Sequence, residues 1–289
     1  MSCDIVVTAR DGYELPATYF ANGAARAAAI VSPATGTPRR FYRAFCEELA
    51  ARGVAVVTYD YRGTFEPPRE LRRSAARMRD WGERDFAGVI AWMRERHPSL
   101  PLHAVGHSVG GHVLLMAENN GEIARSVLVA SQSGYWPLYR GFERYRVYGF
   151  VKAIMPMLTR INGYFPGERV AFGTNLAPGV LYEWSRWCTT PGYFLDDPQM
   201  RDVLAAARTY VAPTLMIGID DDPWATPQAI DALCPAFAHA PIERVELRAR
   251  DASGSVGHMG FFRAQNRSLW ERAFAHLHLS DPAVSSGAL

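Results

Sequence analysis

A single serine between glycines carries the clearest chemical signal in this sequence. Residues Gly106–Gly111 read GHSVGG and stand between a short apolar run and a stretch with helical spacing. A G-x-S-x-G pattern in that position is typical of a nucleophile elbow, where a strand turns sharply into a helix and exposes the serine. Glycine is needed two residues before and after Ser108, because Cβ atoms there would crowd each other. The pattern predicts a nucleophile at Ser108, and the alternative is a structural Gly-Ser turn.

A serine hydroxyl is a weak nucleophile and requires a base to take its proton. The expected order along the chain is nucleophile, acid and then base. His258 fits because it follows the last predicted strand and precedes the last predicted helix, within the sequence GHMG. We therefore predict His258 as the base. The positions of the other histidines favour structural roles: His97, His103, His107, His112, His239, His276 and His278.

Three consecutive aspartates follow the predicted strand Thr214–Ile219, where the acid of such a triad is expected. The acid must accept a hydrogen bond from the imidazole, hold its tautomer and stabilise the imidazolium. Asp222 is the first choice, because its spacing to the next predicted helix fits this loop. Asp221 remains the alternative. The aspartates not used in this way, Asp220 included, are expected to be solvated or to cap a turn or a helix.

The tetrahedral intermediate of acyl transfer needs two preorganised N–H donors for its oxyanion. Val109 directly follows the nucleophile at a predicted helix N-terminus, where N–H groups are free and the end of the helix dipole is positive. The second donor is predicted in the loop Pro33–Gly36, which follows an earlier strand, and Thr35 is our choice. A plain Pro/Gly loop without a chemical role is the alternative.

Alternating strand and helix patterns surround these residues. Continuous apolar runs predict strands buried on both faces, and apolar residues at helical spacing predict the helices between them. This alternation indicates right-handed βαβ units and a mostly parallel sheet, hence an α/β fold. The predicted strands are Ile5–Thr8, Tyr13–Phe20, a run ending at Val31, Val54–Tyr59, Leu102–Val105, Ser126–Ala130, Thr214–Ile219 and Arg244–Arg248. The predicted helices are Phe41–Arg52, Trp81–Arg96, Val109–Glu118, Tyr148–Arg160, Val180–Trp187, Thr226–Leu233 and Phe261–His276.

Between about Gly134 and Ala212 this rhythm breaks into a stretch rich in aromatic residues, proline and glycine. We predict that residues 1–133 and 213–289 form one α/β core and that residues 134–212 form a mainly helical insertion. Its aromatic side chains predict a lid that lines an apolar acyl pocket. The alternative is that they form the hydrophobic core that a small helical cap needs, and the two roles are compatible. The tail from Ser280 is predicted to be loosely ordered.

Several segments resemble the α/β-hydrolase superfamily: YDYRG at Tyr59–Gly63, GHSVGG at Gly106–Gly111 and GHMGFF at Gly257–Phe262. With PATG at Pro33–Gly36 and ASQSGYW at Ala130–Trp136, the chain resembles a bacterial group of predicted α/β-hydrolases related to serine aminopeptidase and monoglyceride-lipase-like enzymes. The resemblance implies a mostly parallel eight-stranded sheet flanked by helices, with a mainly helical cap inserted after the sixth strand. One departure is the Pro-Ala that opens the PATG loop, where superfamily members often carry His-Gly.

Bulk composition limits the partners to be expected. The 289 residues are 48% hydrophobic and 21% charged, which is typical of a globular protein with a large core. A net charge of +2 gives no electrostatic reason to expect nucleic acid or an anionic membrane as a partner. No apolar run is long enough to predict a membrane span. The arginines between Arg69 and Arg79 alternate with acidic residues, which favours a solvated face over a site for an acidic substrate.

The predictions about cofactors and cellular compartment depend on motifs that the sequence lacks. The four cysteines form no C-x-x-C pair and no zinc spacing, and no glycine-rich nucleotide motif occurs, so we predict neither a metal nor another cofactor. Scattered cysteines in a chain that opens without a signal-peptide pattern predict a cytoplasmic protein. No pattern indicates an oligomeric state.

Taken together, these residues predict a serine hydrolase that cleaves a small-molecule carboxylic ester with an apolar acyl part through an acyl-enzyme. A peptidase, a thioesterase or an acyltransferase acting through the same triad is the first alternative. A non-catalytic ligand-binding protein with the same fold is an alternative of another class. The joint presence of Ser108, Asp222 and His258 argues against a binder, which has no use for all three.

Overall fold

The structure, a computed structural model, describes residues 1–279. Within them, eight strands form one sheet. The predicted loosely ordered tail from Ser280 lies outside the described residues. The eight strands are Ser2–Thr8 (β1), Glu14–Phe20 (β2), Ala27–Ser32 (β3), Val54–Tyr59 (β4), Leu102–His107 (β5), Ile123–Val129 (β6), Thr214–Ile219 (β7) and Ile242–Leu247 (β8). The order across the sheet is β1-β2-β4-β3-β5-β6-β7-β8.

Strand direction and burial follow the sequence pattern. β1 and β2 form an antiparallel hairpin, β2 also pairs antiparallel with β4, and every later pairing is parallel. All residues of β3, β4, β5 and β7 are buried, which explains why they appear in the sequence as continuous apolar runs. The predicted α/β fold with a mostly parallel sheet is confirmed. Parallel order also brings the carboxyl ends of β3, β5 and β7 to one edge, where loops can build a site.

Helices cover the sheet and fill the segment between β6 and β7. They span Arg43–Ala51 (α1), Pro68–Leu71 (α2), Ala87–Arg96 (α3), Val109–Met116 (α4), Glu143–Gly149 (α5), Met155–Asn162 (α6), Pro178–Cys188 (α7), Pro227–Asp231 (α8) and Glu271–His276 (α9). π-helical turns lead into α3 at Trp81–Phe86 and join α5 to α6 at Phe150–Ile154. None of the helices within residues 1–279 combines the length and the apolar character needed to cross a membrane.

The segment between β6 and β7 is helical, as the sequence predicts. A π-helical turn joins α5 to α6, and 3₁₀ turns lie before α5, between α6 and α7, and after α7. We call this segment the cap; its division from the core at residues 134 and 212 stays a prediction. Two arginines of the predicted solvated run form hydrogen bonds with the cap. Arg79 Nε donates to Glu183 on α7 at 2.7 Å, and Arg72 Nε donates to the carbonyl of Asn162 at 2.8 Å. The solvated face was thus wrong for Arg79, which is largely buried against a carboxylate of the cap that the local sequence does not reveal. Arg72 is exposed, as predicted.

Several predicted helices begin or end at other residues in the structure. The helix after Ser108 stops at Met116, two residues before the predicted end. The predicted closing helix Phe261–His276 is broken, because Arg263 is extended with ψ 140° and Asn266 has non-helical dihedral angles. Only its last part, α9, is α-helical; the preceding residues form short 3₁₀ turns. The spacing of the buried aromatic side chains in this stretch is compatible with one continuous helix and with a series of short turns. It therefore does not reveal where the helix is broken.

Candidate active site

The turn between β5 and α4 holds Ser108 in a strained backbone conformation, with φ 54° and ψ −117°. A positive φ is unusual for a residue with a side chain and points to a functional constraint. A Cβ on Gly106 would lie 2.5 Å from the carbonyl carbon of Gly110, so these two positions do crowd each other. A Cβ on Gly110 would lie 2.2 Å from the carbonyl oxygen of Ser32, so β3 also requires a glycine there.

His258 and Asp222 meet in the loops beyond β7 and β8. His258 Nδ1 lies 2.8 Å from Asp222 Oδ2. Burial alone raises the pKa of Asp222, but the hydrogen bond and charge interaction with His258 and the backbone N–H groups of Ala225 and Trp224 outweigh it and lower the pKa overall. An ionised carboxylate only accepts hydrogen bonds, so Nδ1 carries a proton, and in the neutral tautomer the lone pair is then on Nε2.

The three consecutive aspartates point to three different partners. Asp221 accepts hydrogen bonds from the N–H groups of Val256 and Gly257, at 2.9 and 2.7 Å, and from the hydroxyl of Ser255 at 2.8 Å. It thereby holds the loop that leads to His258 without contacting the imidazole. Asp220 accepts from the N–H of Ala249 at 2.8 Å. Of the three, the structure pairs Asp222 with the histidine, and the other two carboxylates bind loop backbone.

A cavity of about 440 Å³ connects these loops with the cap. Ser108, Val109, Thr35 and His258 line its floor. The Nε2 atom of His258 makes no hydrogen bond with any residue from 1 to 279, Ser108 included. His258 instead donates from Nδ1 to Asp222, and its carbonyl oxygen accepts from another histidine. The structure therefore brings the predicted nucleophile and base to one cavity without a hydrogen bond between them.

Two residues that line the cavity together with Ser108 have free backbone N–H groups. The backbone N–H groups of Val109 and Thr35 donate to no other residue in the described part of the chain, whereas the N–H of the neighbouring Ala34 donates to the Tyr42 hydroxyl at 2.8 Å. Val109 and Thr35 are both at the cavity surface. Unpaired N–H groups beside a candidate nucleophile are the donors that an oxyanion requires. Their role as an oxyanion hole stays a prediction.

His107 connects the two predicted halves of the site, a role that sequence reasoning missed. Its Nε2 lies 2.9 Å from the carbonyl oxygen of His258, and its Nδ1 lies 2.7 Å from the Tyr42 hydroxyl. Burial lowers the pKa of His107 to about 3, so the ring is neutral. Because a carbonyl only accepts, Nε2 carries the proton, and the Tyr42 hydroxyl must donate to Nδ1 while accepting from Ala34. A series of three hydrogen bonds, each with a defined donor, therefore joins the Pro33–Gly36 loop to His258.

The rest of the cavity wall is mostly aromatic, with a few polar atoms. The cap contributes Tyr139, Phe172, Trp184 and Tyr193. Trp224 stacks on the His258 ring with centroids 5.8 Å apart. This wall makes the cavity a largely apolar compartment above the candidate nucleophile.

Two buried polar side chains in the same wall lack a complete set of partners among residues 1–279. His112 donates from Nε2 to the carbonyl of Gln132 at 2.9 Å, while its Nδ1 and the Gln132 side-chain oxygen have no partner. Burial lowers the pKa of His112 to about 4, so this ring is neutral and its Nδ1 is a free acceptor. Sequence reasoning assigned His112 a structural role; its position one helical turn after Ser108 was the available signal.

Comparisons with known proteins agree with this fold. A model of the family described as "Alpha/beta hydrolase family" matches residues 20–267. No curated protein gives a significant match. DcsB, solved in complex with a substrate analogue, is 17% identical with a TM-score of 0.63, covering 96% of this chain and 98% of that one. An esterase of Pyrococcus furiosus is 15% identical with a TM-score of 0.57, covering 96% and 92%. An esterase of Exiguobacterium antarcticum is 14% identical with a TM-score of 0.59, covering 96% and 100%. At these identities the similarity to solved structures establishes the fold alone.

Proposed function

The chain belongs to the α/β-hydrolase family, and from this membership we propose that it is a serine hydrolase that cleaves a carboxylic ester through Ser108, His258 and Asp222. The observation that carries the proposal is the 2.8 Å contact between His258 Nδ1 and buried Asp222 at a cavity that also contains the strained Ser108. That contact fixes a proton on Nδ1, so in the neutral ring Nε2 is the nitrogen that can act as a general base.

In the first step, Ser108 Oγ attacks the ester carbonyl carbon while His258 Nε2 takes the hydroxyl proton. The carbonyl oxygen becomes an oxyanion, which the N–H groups of Val109 and Thr35 stabilise. Asp222 stabilises the imidazolium and keeps the ring oriented. When the intermediate collapses, the carbon–oxygen bond to the alcohol breaks and His258 returns the proton to that oxygen. The serine–histidine hydrogen bond forms with substrate present, since such bonds are often long in empty sites.

In the second step, water attacks the acyl-enzyme. His258 Nε2 takes a proton from the water, and the same two N–H groups stabilise the second oxyanion. Collapse releases the carboxylic acid and returns the proton to Ser108 Oγ, which restores the starting state. No atom outside the chain, the ester and water is needed for this cycle.

The cavity wall supports an apolar acyl group. Aromatic side chains from the cap cover the space above Ser108, and burial of apolar surface contributes roughly 25 cal/mol per Å². An apolar acyl group therefore fits this lining better than a charged one.

A fluorophosphonate probe tests the proposed nucleophile directly. Ser108 Oγ is expected to displace fluoride from phosphorus, giving an adduct that peptide mass spectrometry maps to Ser108. The Ser108→Ala variant is expected to remain unlabelled. Folded wild-type protein that gains no adduct, or equal labelling of the alanine variant, would contradict the proposal.

Reactions on the same triad are separated by substrate class. The expected order of kcat/KM is carboxylic esters above acyl-CoA thioesters and aminoacyl anilides, because the cavity lining offers no acidic side chain for an amino terminus. Saturable ligand binding without turnover, unchanged in Ser108→Ala, would instead identify a binding protein with this fold.

The hydroxyl of Tyr42 offers a test of how the site is positioned. Tyr42→Phe removes the link between the Ala34 N–H and His107 while keeping the buried ring, so we expect kcat to fall by about tenfold, with a stability loss of about 1–3 kcal/mol. Tyr210→Phe is the matched control, because its buried hydroxyl contacts Ser126 and Thr214 away from the cavity. Urea unfolding and kcat are measured for both. Equal kcat values in the two variants would refute a positioning role.

A further inference from the structure

Exposed apolar side chains are concentrated on one part of the cap. Of the thirteen large apolar side chains that are exposed within residues 1–279, six fall between residues 142 and 161, and their exposed fractions range from 38% to 75%. We call these six residues the apolar cap face: Phe142, Tyr145, Tyr148, Ile154, Met157 and Ile161. A surface helix normally carries polar residues on its exposed side, so this concentration requires an explanation.

Five of the six residues of the apolar cap face belong to one helical stretch, α5 and α6 with the π-helical turn between them, and Phe142 directly precedes it. The inward side of this stretch is marked by Val151, Met155 and Thr159, which are buried and repeat every four residues. Of the six exposed apolar residues, two lie between these buried positions and the other four precede or follow them on the same stretch. Both sides of the stretch are therefore apolar, although only one side is covered by the protein.

The charges around this face are almost all positive. Residues 140–163 contain five cationic side chains and one anionic side chain, so this segment is +4 in a chain whose net charge is +2. Arg146 pairs with the single acid, Glu143, at 3.0 Å. The other cations form no salt bridge within residues 1–279: Arg140, Arg144, Lys152 and Arg160. An apolar helix face with flanking cations is the pattern of a helix that lies in the surface of an anionic bilayer.

A second cavity lies behind the same face. It has a volume of about 710 Å³ and is lined by Tyr145 and Ile154 of the apolar cap face. Its wall includes four residues that also line the cavity above Ser108: Tyr139, Phe172, Trp184 and Trp224. The second cavity thus extends from the apolar cap face to an aromatic wall shared with the cavity of the candidate nucleophile.

We propose that the apolar cap face binds the surface of an anionic lipid bilayer and that the second cavity admits the acyl chain of a lipid ester from that surface. The binding step rests on the exposed apolar residues and their flanking cations alone; the fate of the acyl chain rests on the proposed hydrolase function. The overall charge of the chain conceals this surface, because the remainder of the molecule offsets the local excess of cations.

Vesicle flotation with the full chain tests the binding step. Wild-type protein is expected to float with vesicles that contain phosphatidylglycerol, and less with pure phosphatidylcholine. The double variant Met157→Glu/Ile161→Glu is expected to weaken binding to the anionic vesicles at least about tenfold. Val211→Glu is the matched control, since Val211 is also exposed but lies outside the cap face. Lys152→Gln/Arg160→Gln is expected to reduce binding to the anionic vesicles and to leave binding to phosphatidylcholine unchanged.

Hydrolysis assays separate this proposal from the proposed function. Met157 and Ile161 line neither cavity, so the glutamate variant is expected to hydrolyse a soluble short-chain ester at the wild-type rate and a vesicle-embedded long-chain ester more slowly. Vesicle binding without any ester hydrolysis would overturn the proposed function and leave membrane binding intact. No flotation with either vesicle, an equal loss in Val211→Glu, or self-association that the glutamate variant abolishes would overturn membrane binding.

Discussion

Replacing Ser108 with alanine is expected to lower kcat/KM on a carboxylic ester by about 10⁴-fold or more, equivalent to at least about 5.5 kcal/mol of transition-state stabilisation. Alanine removes the attacking oxygen and leaves the oxyanion donors Val109 and Thr35 in place, so weak residual hydrolysis by water is expected. Steady-state kinetics on a soluble ester measure the loss. The fold is expected to persist, because alanine tolerates the positive φ of this turn as well as serine does.

Ser133→Ala is a suitable control for this variant. Ser133 is a buried serine near the site, and its hydroxyl contacts only the N–H of Tyr135 at 3.4 Å within the described residues. A kcat/KM within a few-fold of wild type is expected for the control. If Ser108→Ala retained more than a tenth of the wild-type activity, another group would have to be the nucleophile.

The sheet and the turn at Ser108 were predictable because their causes are mostly local. Strands buried on both faces must be continuously apolar, so β3, β4, β5 and β7 stand out in the sequence. The glycine at 106 is likewise required by its own turn. The glycine at 110 is required by Ser32 on a neighbouring strand, a contact that only the assembled sheet reveals.

The three aspartates illustrate where local reasoning stops. Asp220, Asp221 and Asp222 have the same chemistry and follow the same strand, so their side chains are distinguished by the course of the loop. In the structure the N–H of Asp222 closes a turn onto the carbonyl of Ile219 at 3.0 Å, and its carboxylate then lies against His258. The spacing favoured Asp222 over Asp221 but did not predict that Asp221 would hold the backbone before the histidine.

Long-range polar contacts explain most of what the sequence did not predict. The sequence analysis assigned His107 a structural role, yet its ring donates a hydrogen bond to the carbonyl of a residue 151 positions away. Arg79 appeared as one of several solvated arginines, yet it binds a buried carboxylate on α7. In both cases the partner is far along the chain, so neither its identity nor its distance can be deduced from the neighbouring residues.

Replacing Asp222 with asparagine is expected to lower kcat by about 10⁴-fold with little change in fold. One carboxylate oxygen accepts from the N–H groups of Trp224 and Ala225, at 2.8 and 3.0 Å, while the other faces His258. The asparagine oxygen is expected to keep the two backbone donors, which turns its NH₂ group toward Nδ1. A donor at that position forces Nδ1 to accept, so Nε2 becomes protonated and can no longer take the serine proton.

The matched variant Asp221→Asn separates the two carboxylates. Asp221 binds the backbone before His258 without contacting the ring, so its change is expected to loosen that loop and lower kcat by about tenfold at most, while the imidazole keeps its tautomer. Steady-state kinetics measure kcat, and the ¹⁵N chemical shifts of the His258 ring report which nitrogen carries the proton. A larger loss in Asp221→Asn than in Asp222→Asn, or an unchanged tautomer in Asp222→Asn, would mean that the acid is not Asp222. The geometry argues otherwise, since a carboxylate can fix the tautomer only of the ring that it touches.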